Sequence, residues 1–535
     1  MTIQTTTPPS TPVLVVGGSL NGLTTALLLA HHGVRCTVVE RHPATTVQYK
    51  FSGISPRSME IYRGLGIEDE IRAHRTGDHK AGEIARARNL ADPEVQFLGR
   101  PWAHSAEPGA ELGAAPAATC DQDRLEPILR AHAERRGADI RFHTELVDVE
   151  LGDGEVRARI RDLATGRDSE LTAAYLIAAD GVSGRTRDKL GLSRRGPGVL
   201  QHWMNLIFDT DLEPVLQGRR ITSCFVTDVN GSIVPRQDRW LLAVQYQPDR
   251  GERAEDFDQA RTAALVRRAA GRDDVRVELF DARSWEVAAY TMERFAHGRA
   301  LFVGDAAHAM PPTGGFGGNT GIHDAHNLAW KLALVLGGKA GPGLLASYDT
   351  ERRFIAERTL GQALARLAAW FKDPSKRLPD PEPIVDDLAV IFGQRYPAGA
   401  LIAEPGASRD AFEDPRRPSG CPGTRAPHLV LERDGRRTPI HDQFGAAFTL
   451  LAGAAGHAWC QAAAVAERGR LALHPIRIGG DAIDVAGRFE AAYGVGPGGA
   501  ALVRPDGVIA WRSRDAVAAP EAALRDVLAQ ILDRR

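Results

Sequence analysis

Apolar residues fall along the chain in distinct textures. From Val13 the run VLVV leads into GGSLNG and then LTTALLLAHHG, apolar on nearly every face, and TVVE (37–40) follows. A strand, a glycine turn, a buried helix and a second strand predict a βαβ unit at the start of the fold. A helix is predicted over about 122–136, with Leu125, Ile128, Leu129 and His132 on one stripe. An apolar strand over 173–179 ends in Asp180-Gly181. Between about 193 and 286 the texture alternates, as in TSCFVTDV and RWLLAVQY, which predicts an antiparallel sheet with one covered face. Unbroken apolar character returns at ALFVGD (300–305), and a long helix over about 322–336 is stopped by Gly337-Gly338. The final hundred or so residues read as a small α/β unit. Its hairpin AALVRPDGVIAWR turns at Pro505-Asp506-Gly507, and its last helix buries Leu524, Val527, Leu528 and Ile531. The resulting division is a discontinuous domain over 11–192 and 287–371, an inserted sheet domain over 193–286, a Pro-, Asp- and Gly-rich linker over 372–427, and a C-terminal domain over 428–535.

A chain of 535 residues is long enough for more than one core. Lys and Arg total 66 and Asp and Glu 68, a balance that gives no electrostatic reason to expect nucleic acid or an anionic membrane as partner. No segment approaches the roughly 18 apolar residues of a membrane span. The 5 cysteines, at 36, 120, 224, 421 and 460, form no CxxC. An odd, scattered set is the pattern of a reduced cytosolic protein, without a disulfide framework or a metal site. The start, MTIQTTTPPSTP, lacks the basic-then-apolar order of a signal peptide, so the expected location is the cytoplasm.

The chemistry begins at the first turn. Gly17 and Gly22 match the outer glycines of the dinucleotide fingerprint, with Ser19 where the middle one is expected. Such a turn brings backbone N–H groups at a helix N-terminus close to a pyrophosphate, here through Gly17, Ser19, Leu20 and Asn21. Glu40 ends the second strand, where a carboxylate accepts hydrogen bonds from adenosine ribose hydroxyls and disfavours a 2′-phosphate. The bound nucleotide is therefore FAD or NAD, with Arg41 beside it. A second constellation lies in GRALFVGDAAHAMPPTGGFGGNTGIHDAHNLAWKLAL (298–334). A buried strand delivers Asp305 to its end, where the carboxylate can bind a polyol hydroxyl, and Pro311-Pro312 stiffens a turn. The loop at Gly317, Gly318 and Asn319 then offers N–H groups and a positive dipole end to an anion. A reduced flavin, negative near N1 and O2, suits that loop.

This segment resembles the GD motif of the class A flavoprotein monooxygenases, the family of p-hydroxybenzoate and phenol hydroxylases. LIAADGVSGRTR (176–187) resembles the family's DG motif, with Asp180, Gly181 and Arg187 in place and Gly184 where serine is more usual. CDQDRLEPILRAHA resembles the stretch whose glutamine touches the flavin's ribityl region, here Gln122. KFSGISPRSMEIYRGLGI resembles the loop after the second strand, with Lys50 where arginine is common, which weakens a bidentate pyrophosphate clamp. The resemblance covers about residues 12–370. The C-terminal unit resembles the thioredoxin-like domain appended to phenol hydroxylase and to hydroxylases that tailor aromatic polyketides, such as the aklavinone and angucycline hydroxylases. Without CxxC it cannot perform dithiol exchange, so packing or dimer contacts are its expected role, in a monomer or homodimer.

The resemblance implies an α/β protein: a Rossmann-type FAD-binding domain with an inserted antiparallel-sheet substrate domain, plus the thioredoxin-like domain. It also implies that NADPH or NADH docks transiently and reduces FAD. O2 then adds at the flavin C4a position, and the hydroperoxide hydroxylates a polycyclic aromatic substrate. Epoxidation, Baeyer–Villiger insertion or oxidative rearrangement of a quinone skeleton are the alternatives on the same fold. Trp203, Phe225, Trp240 and Tyr246 lie in the alternating region, to stack on a planar polycycle or fill a core. Arg236 either counters a phenolate or is solvated. The resemblance implies a structural role for His308 near the flavin loop, and no protein acid or base is identified.

Overall fold

The computed structural model describes residues 9–75, 82–99, 111–236, 239–370, 382–468 and 471–534. The strand Ser10–Val16 pairs in parallel with Cys36–Glu40 on one side and with Asp168–Ala178 on the other. Asp168–Ala178 pairs in parallel with Ala300–Phe302. The carboxyl ends of these strands are buried on both faces, which is why they read as unbroken apolar runs. Register then decides what gathers at the sheet's end. Val16 lies opposite both Val39 and Ala178, and Ala178 lies opposite Phe302. The four strands stop level, so Glu40, which ends its strand, and Gly17, Asp180 and Asp305, which follow theirs, line one edge. The chain leaves the first strand for a neighbour on one side and returns on the other, so this edge is a topological switch point with a crevice.

The helix after the first turn is Leu20–His31, and a second, Gln122–Arg135, ends one residue from its expected limit. The long helix is Gly317–Leu336 and begins at 317, not 322. Its glycines read as loop, but smallness is what the helix start requires. A Cβ at Gly318 would lie 2.5 Å from the Phe51 ring, and one at Gly321 2.4 Å from the Asn21 amide nitrogen.

The alternating stretch forms part of an eight-stranded sheet, ordered His308–Ala309, Val277–Met292, Arg194–Thr210, Trp240–Tyr246, Gly231–Pro235, Ile221–Val226, Glu83–Ala87 and Gln96–Gly99. The sheet therefore reaches beyond residues 193–286 at both edges, and it contains one parallel pair, Ile221–Val226 with Glu83–Ala87. Strand partners far apart in the chain are chosen by tertiary packing, which local alternation does not report. Met204, Leu206, Phe208, Leu242 and Val244 form the covered face, closed by Val266, Ala269 and Ala270 of the helix Gln259–Ala270. Side chains alternate along a strand, so Gln201, Trp203 and Asn205 lie on the opposite face.

Residues 382–427 do not behave as a free linker. The helix Asp387–Phe392 is buried from Leu388 to Phe392, and Tyr396 and Leu401 join Ile355 and Val508 in one apolar cluster. Prolines set the turns, while the apolar residues between them find surface on both neighbours. In the C-terminal unit, Phe448–Ala452, the helix His457–Arg468 and Leu473–Arg477 make a βαβ unit. Ala500–Val503, Ile509–Ser513 and the helix Pro520–Ile531 make a ββα unit, giving strand order second, first, third, fourth. This is the thioredoxin-like arrangement. Its hairpin turn forms as expected but points inward. Arg504 is fully buried against Glu351, and Asp506 accepts from Asn327 at 3.3 Å. Among the described residues no helix is long and apolar enough to cross a membrane.

Candidate active site

Gly17 adopts φ +106, and a Cβ there would meet the Ala179 carbonyl oxygen at 2.3 Å. Only glycine lets the first turn pass over the end of the Asp180 strand. Glu40 closes against this turn, Oε2 accepting from the Gly18 N–H at 2.7 Å and Oε1 from the His42 N–H at 2.8 Å. Ser19 holds the N-cap position of Leu20–His31 but caps nothing, because its hydroxyl donates to Glu126 Oε1 at 2.5 Å. The N–H groups at Leu20 and Asn21 thus keep neither an intrahelical nor a capping partner, and the positive helix end stays available to an anion.

Gln122 Nε2 donates to Ser19 Oγ at 2.9 Å and to Glu126 Oε1 at 2.7 Å, while Glu126 Oε2 accepts from the Thr46 N–H at 2.8 Å. Glu126, 1% exposed, is a residue that sequence reasoning missed. Its signal was spacing, four residues after Gln122 on one helix face. Arg41 and Lys50 are exposed at the rim.

At the other end, Gly304 (φ +57) presses on Asn21, whose Oδ1 is buried without a partner. The Asp305 carbonyl oxygen accepts from the Tyr290 hydroxyl at 2.9 Å, but its carboxylate accepts no hydrogen bond among the described residues. Burial pushes the Asp305 pKa up, against the pull of His308 and Lys50. Asp180 Oδ2 accepts from the Thr186 N–H at 2.7 Å, its Oδ1 is buried and unpaired, and burial raises its pKa also. The departure at Gly184 has a local cause. The residue is left-handed at φ +53, and a Cβ there would lie 2.5 Å from Arg187 Nη1.

Asp324, fully buried on the long helix and also missed, anchors this corner. Its Oδ2 accepts from the Gly304 N–H at 3.1 Å and pairs with His308 Nε2 at 2.7 Å, and its Oδ1 pairs with Arg352 at 2.8 Å. Burial alone would raise its pKa; His308 and Arg352 overcome that and hold it at about 2. His308 is thereby committed to structure. Pro312 is exposed in the turn, its carbonyl accepting from the Gly315 N–H at 3.0 Å. Among the described residues the N–H groups of Gly317, Gly318 and Asn319 find no backbone acceptor. The Asn319 side chain is saturated. It accepts from the Ser55 N–H (2.9 Å) and the Ser58 hydroxyl (2.7 Å), and it donates to the carbonyls of Gly53 (3.0 Å) and Gly315 (2.9 Å). Only its backbone N–H is left for a ligand.

The expected substrate residues separate. Tyr246 and Trp240 lie on the covered face, packed with Phe257 and the helix behind it, so of the two alternatives both fill a core, and Tyr246 is not a substrate residue. Alternation shows that a strand has two faces, not which one a helix will cover. Trp203 and Phe225 lie on the opposite face, where Trp203 stacks on Trp285 with ring centroids 6.0 Å apart. Arg236 is largely withdrawn from solvent, and its Nε is buried without a hydrogen-bond partner among the described residues. Its Nη1 donates to Asp121 at 2.9 Å and to the Ser52 hydroxyl at 3.3 Å, next to Phe51, tying the second sheet to the start of the helix Gln122–Arg135. Gln48 makes a second bridge, to Asp281.

The chain matches the family models described as FAD binding domain over residues 10–363 and aromatic-ring hydroxylase, C-terminal, over residues 419–534. It is 39% identical to 4-methyl-5-nitrocatechol 5-monooxygenase from a Burkholderia species, over 100% of both chains. It is also 39% identical to the tetracenomycin A2 monooxygenase-dioxygenase of Streptomyces glaucescens, over 98% of this chain and 97% of the relative's. Among solved structures, a ternary complex of aklavinone-11 hydroxylase with FAD and aklavinone superposes with a TM-score of 0.91 at 37% identity, covering 99% of this chain and 100% of the other.

Proposed function

The chain belongs to the family of FAD-dependent aromatic-ring hydroxylases, and on that premise we propose that its substrate is a planar polycyclic phenol or quinone of polyketide type. It is a monooxygenase that uses FAD, NAD(P)H and O2. The observation that carries our reading of the site is the level ending of four parallel strands, which sets Gly17, Glu40, Asp180 and Asp305 on one edge. Beside that edge, Asn21 Oδ1 and Asp180 Oδ1 are buried without partners, and two helix N-termini are uncapped. Orphaned acceptors, unspent N–H groups and a glycine cradle fit a dinucleotide with a polyol chain.

In this reading Gly17, Ser19, Leu20, Asn21, Glu40 and Arg41 hold the adenosine and pyrophosphate. Gln122, Asp180, Asp305, Pro312 and Lys50 line the ribityl region. The N–H groups of Gly317, Gly318 and Asn319 face the ring edge that becomes anionic on reduction. Bound FAD supplies the redox chemistry and the activation of O2. The chain's own residues orient it and stabilise charge. N–H groups fixed at a helix start favour the anion over the neutral ring without reorganising. The Arg236–Asp121 and Gln48–Asp281 bridges tie the substrate sheet over the crevice and help exclude water. No side chain acts as a nucleophile. The tetracenomycin relative favours a second outcome at the same site, insertion of more than one oxygen. The enzyme works in the cytoplasm as a monomer or homodimer, without nucleic acid or membrane. The test is aerobic turnover of hydroxylated naphthacenequinones under 18O2 with mass spectrometry of the products. One heavy oxygen supports hydroxylation and two the second outcome. No substrate-stimulated NAD(P)H oxidation by FAD-loaded protein would refute the reading.

A further inference from the structure

The face of the substrate sheet opposite the helix carries a repeated device. Gln201, Trp203 and Asn205 alternate onto it from one strand, and Trp285 stands opposite Trp203 on the next. The Trp203 indole N–H donates to Gln201 Oε1 at 2.9 Å, and the Trp285 indole N–H donates to Asn205 Oδ1 at 2.8 Å. The two rings stack with planes 26° apart. Each tryptophan thus takes the oxygen end of one carboxamide. Turning either amide over would set NH2 against an indole N–H, donor against donor, so the orientation is locked.

The NH2 ends are what remain. Asn205 is 7% and Gln201 9% exposed, yet neither amide nitrogen donates to any described residue. A buried donor without an acceptor is costly. Neither nitrogen is sealed off, for neither is among the buried side-chain atoms without a partner. Both therefore border open space. The face they lie on looks toward the crevice edge, because Asp281, paired with Ile207 on that face, accepts from Gln48 in the loop that precedes Lys50. On the strand that carries Trp285, the Tyr290 hydroxyl reaches the Asp305 carbonyl, and from the same sheet Arg236 reaches Ser52, next to the Phe51 that packs on Gly318.

We infer that Gln201 and Asn205 are specificity-determining donors that hold two oxygen acceptors of the substrate, quinone carbonyls or phenolate oxygens at opposite ends of a multi-ring plane. Four residues along a strand set their Cα atoms ~13 Å apart, and each amide is tied to a different one of two rings whose centroids are 6.0 Å apart, so the donors serve two separate acceptors. The stacked indoles set the donors' direction and offer an aromatic wall of the kind planar rings prefer. Two donors at this spacing select a fused polycycle over a monocyclic catechol. This rests on the polycyclic reading of the substrate.

Asn205→Asp and Gln201→Glu keep the oxygen each indole needs and replace NH2 by a carboxylate oxygen, removing the donor at nearly constant shape. FAD-loaded wild type and each variant are titrated with a dihydroxynaphthacenequinone and, separately, with 4-nitrocatechol, following the flavin spectrum. FAD content and tryptophan fluorescence check the fold and the indole contacts. Each variant should bind the naphthacenequinone at least tenfold more weakly with FAD content unchanged, and the ratio of its affinity to that of nitrocatechol should fall. If wild type binds the tetracycle and both FAD-loaded variants bind it as tightly, the inference is overturned while the proposed substrate class stands. If wild type itself fails to bind the tetracycle, the substrate class falls and the inference with it.

Discussion

Replacing Glu126 by Gln probes the one buried carboxylate that joins three separate segments at the nucleotide end. The wild-type group accepts at three points: the Ser19 hydroxyl (2.5 Å), Gln122 Nε2 (2.7 Å) and the Thr46 N–H (2.8 Å). All three are donors, and a carboxylate suits them because both its oxygens only accept. A carboxamide offers one oxygen. If that oxygen stays with Ser19 and Gln122, the new NH2 meets the Thr46 N–H; turned over, it meets Gln122 Nε2. Either way one part-buried donor is stranded and the charge assistance of the others is lost. A stranded donor costs about 1–3 kcal/mol, which is roughly 5- to 150-fold in an equilibrium constant. The segments that loosen, the helix start at Ser19 and the loop at Thr46, are those proposed to hold FAD, so the loss should fall on FAD affinity. Fluorescence titration of apoprotein should show Kd raised at least fivefold, with a thermal midpoint only a few degrees lower. A variant that melts earlier yet binds FAD within twofold of wild type would refute the reasoning and leave Glu126 as a fold determinant alone.

Glu40→Gln should weaken FAD at least tenfold by the same titration, since it loses a charge-assisted acceptor worth about 1.5–3 kcal/mol; unchanged affinity would place the adenosine elsewhere. Gly317→Ala should retain FAD and its reduction rate, because the added Cβ comes no closer than 3.5 Å to Met310, whereas Gly318→Ala should impair both by displacing Phe51. Equal behaviour of the two in stopped-flow reduction would break that distinction. Burial alone would raise the pKa of Asp324 and Glu351, but their partners overcome it and hold both at about 2, His308 and Arg352 for Asp324 and Arg504 and Lys331 for Glu351. Folded values below the unfolded ones of roughly 4 stabilise above that pH and lose their effect as pH falls toward 2, by about 3 kcal/mol each. Urea unfolding between pH 7 and 3 should therefore show a shallower acid slope in Asp324→Asn, and a slope equal to wild type would contradict the assignment. Replacing Cys421 and Cys460 together by Ser should leave turnover intact, and a collapse with FAD content unchanged would reveal a thiol function.

The strands around Gly17, Asp180 and Asp305 were legible because burial on both faces forces unbroken apolar runs, and glycine turns and acids at strand ends stand out against them. The start of the long helix is hidden because glycine reads as loop, although at Gly318 and Gly321 it answers to Phe51 and Asn21, residues more than 260 positions away. The 382–427 stretch was misjudged because proline and glycine content describes turns, not the Tyr396, Leu401 and Val508 contacts that fasten them.

By itself, then, the sequence determined the βαβ start, the glycine turns, the carboxylates that end buried strands, and the family that this pattern resembles. These are properties of short segments, set by burial, backbone freedom and spacing along one strand or helix. The fold alone brings four strand ends level, makes Glu126 and Asp324 hubs of the site, and pairs Arg236 with Asp121. It also sets which face of the second sheet a helix covers, sending Tyr246 into a core and Gln201 and Asn205 onto the opposite face. The reason is physical: alternation gives a strand two faces of equal standing, and only what packs against one of them tells the faces apart.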